Sequence, residues 1–142
     1  MKVQIKRIDK TLPLPKYETD GSVAVDLVSR TDVEIEPGKV GLVPTNIIIT
    51  TPKDYMFVVV PRSSTPRKKG LLIPHGIGII DQDFAGPQDE VCLQVLNFSD
   101  TTVHIERGER LGQGVFVKIA KVTWREINNV KTKTRGGFGS TG

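Results

Sequence analysis

The chain has 142 residues, a formal charge of +4 and a pI near 9.3, and 37% of its residues are hydrophobic, 25% charged and 6% aromatic. That length suits one domain with a core of its own, and the scarcity of aromatics leaves the core to Val, Ile and Leu. A single cysteine, Cys92, excludes an intrachain disulfide and a thiolate metal cage within one chain, and the longest basic run, Arg67-Lys68-Lys69, has no interleaved aromatics, so the charge points no more to nucleic acid than to a phosphate-bearing small ligand.

The first ten residues, MKVQIKRIDK, contain no apolar h-region, and Val3, Ile5 and Ile8 are expected to start an edge strand. Thr11 to Glu18, with Pro13 and Pro15, reads as an extended connector, and Asp20-Gly21 as a turn. Ala24 to Val28 gives a short strand. Val33 and Ile35 alternate before the turn Glu36-Pro37-Gly38, and Val40, Leu42 and Ile47 to Ile49 follow. Tyr55 to Val60 is a continuous apolar run, read as a central strand buried on both faces and far too short to span a bilayer. Ser64 to Gly70 reads as the one short helix, with a hydroxyl cap, Pro66 near its start, basic residues in its last turn and glycine after it.

Pro74 to Gly86, PHGIGIIDQDFAG, is the stretch around which the chain is organised. It reads as a hairpin whose strand places Asp81 and Asp83 on one face, since residues two apart point the same way. Gly76 and Gly78 carry no Cβ and would let a ligand's ring lie against the backbone. An ordinary hairpin with a solvated acidic tip is the alternative. Val91, Leu93 and Val95 then alternate, followed by Val103 and Ile105, and by Val115, Val117 and Ile119 after glycines.

Short strands every 8 to 12 residues or so, with turns between them, predict an all-β sandwich, jelly roll or barrel. His75 and His104 fall in no HxxxH or HxE pattern, which argues against a zinc hydrolase or deaminase. The last eight residues, RGGFGSTG, include four glycines and cannot bury enough surface to order themselves. Phe138 and the neighbouring amides suit a flap closing over a phosphorylated base; a frayed end is the alternative. A soluble cytoplasmic protein is expected, with no membrane or nucleic-acid partner.

Five stretches in order resemble the five motifs of the homotrimeric dUTPases: Ser22 to Leu27, Pro61 to Ser64, Gly78 to Gly86, Gly108 to Gln113 and Gly137 to Gly142. The resemblance spans about residues 20 to 142. It implies a distorted jelly roll over residues 1–130 and a flexible C-terminal arm over 131–142, in a homotrimer whose active sites lie between subunits, the arm of one closing a site built by the other two. The activity implied is hydrolysis of dUTP to dUMP and pyrophosphate, by water attacking the α-phosphorus with Mg²⁺ on the triphosphate.

By the same resemblance Asp81 orients the water and takes its proton, and Asp26 holds Mg²⁺ through a water. A structural ion pair of Asp81 with Arg110, and a turn cap at Asp26, are the structural alternatives. Arg62, Ser63, Ser64 and Gln113 are placed on the phosphates, with Arg135, Ser140 and Thr141 from the arm. The main chain of His75, Gly76, Ile77, Gly78, Ile79 and Ile80 pairs with uracil as another base would, Phe84 lies against deoxyribose, and Phe138 stacks on the base.

The sequence departs from the commoner family pattern at several positions. Ala24 replaces a glycine, His75 an asparagine and Phe84 a tyrosine, and Pro87-Gln88-Asp89 forms an insertion. Lys133 stands where the family's phosphate-binding arginine usually falls, with Arg135 two residues on. Competing readings are a dCTP deaminase of the same fold, which lacks a glutamate general base here because none lies between Glu36 and Glu90, and a non-catalytic dUTPase-like nucleotide-binding or regulatory protein.

Overall fold

The computed structural model describes residues 1–139. Eleven strands and one helix follow in order: β1 (Ile5–Arg7), β2 (Val25–Val28), β3 (Val33–Ile35), β4 (Val40–Pro44), β5 (Ile47–Ile49), β6 (Tyr55–Pro61), α1 (Thr65–Lys69), β7 (Leu71–Leu72), β8 (Gly78–Ile80), β9 (Cys92–Asn97), β10 (Val103–Ile105) and β11 (Arg110–Lys118). All pairings are antiparallel. They form a four-stranded sheet β2-β11-β6-β8, a three-stranded sheet β4-β9-β7 and two ribbons, β1-β5 and β3-β10. The architecture is the distorted jelly roll, all-β with one short helix. None of the described helices is long and apolar enough to cross a membrane.

One core joins the sheets: Leu27, Val43, Ile47, Phe57, Val59, Leu71, Val91, Leu93, Val95 and Ile105 are each buried to within 2% of complete exclusion from solvent. Period-two alternation places Val91, Leu93, Val95 and Asn97 inward from one strand. β6 is the central strand, flanked by β11 and β8, with Phe57 to Val59 buried. α1 ends on Gly70 in the left-handed region (φ 64°). Its N-cap Ser64 makes no side-chain capping bond. Ser64 is itself helical in conformation, whereas a capping residue takes an extended one, and the next hydroxyl, Thr65 Oγ1, donates to Leu111 O at 2.7 Å.

Two local expectations differ from the structure. The hairpin at Pro74 to Gly86 is not a self-paired ladder: β7, before it, belongs with β9, whereas β8 pairs with β6. Gly76, at φ 84°, turns the chain from one sheet to the other. Its strand also stops at Ile80, and Asp81 to Phe84 form a turn, with Phe84 N donating to Asp81 O and Ala85 N to Asp83 O, so strand alternation does not relate the two aspartates. The second difference is in β11, which begins at Arg110. Its inward face is Gly112, Gly114 and Phe116 rather than the valines, because the buried Phe57 ring occupies the space over Gly114, and Val117 is exposed.

Candidate active site

Register across the four-stranded sheet assembles one cluster. Gln113 on β11 lies opposite Asp26 on β2 and, on its other side, opposite Val60 on β6. The end of β6 therefore brings Arg62 to the same place, with Arg62 N donating to Leu111 O at 3.0 Å. Arg62 Nε lies 2.9 Å from Asp26 Oδ1, and Arg110 Nη1 lies 3.0 Å from Asp26 Oδ2. Gln113 Nε2 reaches Pro61 O at 3.5 Å, a weak bond that leaves the amide near the cluster's mouth. Ser63, exposed, and Ser64, half-buried, form the turn immediately beyond.

A second cluster stands at the other end of the sheet. β8 is an edge strand, so among the described residues one side of its main chain carries no neighbouring strand. Asp81 follows directly, exposed, in a turn pinned by Gln82 Nε2 donating to Tyr55 O at 2.9 Å. Phe84 is 38% exposed and Ile77 and Ile79 more so. His75 lies beside Gly78, its Nε2 about 3.9 Å from where a Cβ on that glycine would sit. The alternative reading of Asp81, a structural pair with Arg110, does not form among the described residues: Arg110 binds Asp26, and Asp81 lies beyond Ile80, which faces Phe57 three residues away from Val60 along β6.

The two clusters are far apart in one chain. Asp26 and Asp81 are separated by three inter-strand spacings and about four residues along β6, which puts roughly 20 Å between them at ordinary sheet dimensions. Arg135 and Phe138 belong to neither cluster: residues 119–139 have no strand or helix, and Phe138 is fully exposed. Ser140 and Thr141 lie outside the described residues.

Among the described residues no three His, Cys, Asp or Glu side chains converge to cage a metal. The donor set at the first cluster is one carboxylate beside a guanidinium and an amide. Such a set fits a hard cation that keeps its water and leans on substrate phosphates, as Mg²⁺ does, and does not fit a metal needing an all-protein cage. Arg110 and its second acceptor, Glu18 at 3.4 Å, are members of the site that sequence reasoning missed. Arg110 sits within the motif Gly108 to Gln113, but its partner depends on strand register.

An all-β jelly roll that gathers an aspartate, an arginine and a glutamine at one end of a sheet, and presents a glycine-edged strand and an exposed aspartate at the other, is the fold of the dUTPases. The dUTPase family model matches residues 10–142. Deoxyuridine 5'-triphosphate nucleotidohydrolases of Dictyoglomus turgidum and Acinetobacter baumannii are 38% and 37% identical to the chain, in each case over 100% of it and 99% of the relative. The crystal structure of dUTPase from Streptococcus mutans superposes with a TM-score of 0.77 at 33% identity, covering 84% of this chain and 98% of that one. The dUTPase of Staphylococcus bacteriophage 80alpha, solved with dUpNHpp, matches in fold with a TM-score of 0.86 at 22% identity, over 99% of this chain and 98% of that one. The chain belongs to the dUTPase family.

Proposed function

We propose that this protein hydrolyses dUTP to dUMP and pyrophosphate in a homotrimer with shared active sites. The observation that carries the reading is the convergence of Asp26, Arg62 and Gln113, from three different motifs of a family member, on one end of the sheet. Arg62 can fork onto phosphate oxygens, Ser63 and Ser64 offer hydroxyls and amides, and Gln113 adds a neutral donor. Asp26 would hold Mg²⁺ through a water; the ion would offset triphosphate charge and polarise the phosphoryl oxygens.

Asp81 is the general base. It is exposed, so a water can reach its carboxylate, and the turn that carries it is held to Tyr55 O by Gln82. The open edge of β8 supplies main-chain donors and acceptors to uracil, and a cytosine presenting the opposite pattern would leave buried groups unpaired at about 1–3 kcal/mol each. Phe84 stands against deoxyribose and Phe138, on the arm with Arg135, covers the base. The separation of about 20 Å between Asp26 and Asp81 within one chain favours sites completed by a second copy.

The test is pyrophosphate release from dUTP, dCTP, dTTP and UTP in parallel, with Mg²⁺ and with EDTA, and ammonia release from dCTP. Release from dUTP alone, lost on chelation, is expected. Ammonia from dCTP would move the protein to the deaminase branch. Asp81→Asn should retain nucleotide binding while turnover falls by roughly 10²-fold or more; near-normal turnover would remove Asp81 from the role of base.

A further inference from the structure

Both oxygens of the Asp26 carboxylate are already taken. Arg62 occupies Oδ1 and Arg110 occupies Oδ2, and the side chain is only 14% exposed. The two arginines differ in what holds them. Arg62 follows the last residue of β6 and is 35% exposed; Asp26 is its one ion-pair partner among the described residues. Arg110 begins β11 and has a second acceptor, the same Nη1 that meets Asp26 lying 3.4 Å from Glu18 Oε1. Glu18 lies on the connector between β1 and β2, and Pro13, Leu14 and Pro15 of that connector wall the small cavity that Asp26 and Arg110 also line. The result is a row of alternating charge, Glu18, Arg110, Asp26, Arg62, which continues past Glu18 to Lys16 Nζ at 3.8 Å and ends on the other side at Arg62.

This row sets a requirement for the reaction proposed above, on which the inference rests. Arg62 meets Asp26 through Nε, so a metal-bound water that takes its place at Oδ1 removes one of the two cations on that carboxylate. A mostly buried carboxylate left without any cation is strongly disfavoured. We propose that Arg110, backed by Glu18, is the positioning residue that keeps Asp26 paired and aimed while Arg62 is exchanged for the hydrated metal. Arg110 has a second tie that Arg62 lacks, because its Nη1 bridges Asp26 Oδ2 and Glu18 Oε1. Asp26 thus trades one cation for another and is never bare. In this scheme the N-terminal connector is part of the phosphate-side machinery, although it contributes no atom to the substrate.

The experiment measures binding of dUpNHpp to the full chain by calorimetry, with Mg²⁺ varied from EDTA to millimolar, alongside thermal melts. In Arg110→Gln, Asp26 keeps Arg62 as its sole partner. The Mg²⁺ concentration for half-maximal enhancement of binding should therefore rise about 5- to 10-fold, the size expected for one charge-assisted pair. Arg110→Lys should recover part of this, and Glu18→Gln, at a surface pair whose loss leaves the melting temperature nearly unchanged, should shift it about 2-fold in the same direction. Equal losses with and without Mg²⁺ would mark Arg110 as merely structural and overturn the inference. If Arg110→Gln does not fold, Glu18→Gln decides: a Mg²⁺ dependence identical to that of the parent overturns the inference. A parent protein that binds dUpNHpp without any response to Mg²⁺, or not at all, overturns the catalytic reading itself.

Discussion

Asp9 anchors the N-terminal segment through contacts that depend on its charge. Its carboxylate accepts from Arg107 Nη2 at 2.6 Å, from the Thr11 hydroxyl at 2.6 Å and from Thr11 N at 2.8 Å, while its main chain exchanges bonds of 2.6 and 2.9 Å with the buried Asn46 side chain. The Arg107 guanidinium, with help from Thr11, holds the Asp9 carboxyl well below the usual carboxylate range. A folded pKa below the unfolded value of about 3.9 means the stabilisation is complete above that pH and is lost as pH falls toward the folded value. Asp9→Asn should therefore unfold at lower urea than the parent at pH 7, with the gap shrinking steadily below about pH 4. A gap independent of pH would show that charge at Asp9 contributes nothing.

At the scale of the element, β11 shows why a glycine-rich strand is needed beneath the site. It pairs with both β2 and β6, and its register sets Gln113 opposite Asp26. A Cβ at Gly114 would lie 2.1 Å from Phe57 Cζ, on a ring wholly excluded from solvent and packed 4.9 Å, centroid to centroid, from Phe116. An aromatic ring confined in that way cannot swing aside. Gly114→Ala should cost about 2–3 kcal/mol in denaturant unfolding, the range for overpacking a core, and should reduce dUTP turnover by disturbing the β2-β11 register. Unchanged stability would mean that Phe57 has room to move. Sequence pattern located this strand from its valines, but the inward face belongs to the glycines. A glycine carries no hydrophobic signal, and only the ring opposite reveals its purpose.

For the whole molecule, the single chain leaves much apolar surface uncovered beyond its last strand: Val122, Trp124, Ile127 and Val130 are 60–90% exposed. The proposed homotrimer would cover such surface with another copy and would bring together the Asp26 and Asp81 clusters, about 20 Å apart in one chain. The expected species is three copies of the 15.6 kDa chain, measured by light scattering. A chain ending at Thr134 should fold and assemble as the parent does, since every strand ends by Lys118, yet have little dUTP turnover because Arg135 and Phe138 are gone. Unchanged kinetics would sink the proposed role of the arm.

Most of the short strands though not β7, the helix with its terminal Gly70, and family membership through five motifs were determined by the sequence alone. Each rests on local spacing: apolar alternation, turn residues, and runs of residues such as Gly78 to Gly86. The partners inside the site were decided by tertiary structure. Nothing local to residues 18, 26, 62 and 110 says that they form one row of charge, because that row depends on antiparallel register across β2, β11 and β6 and on where the connector lies. The same register places Asp81 at the far end of the sheet from Asp26. Side chains meet across strands according to hydrogen-bond register, and a shift of one residue would send every one of them to the opposite face.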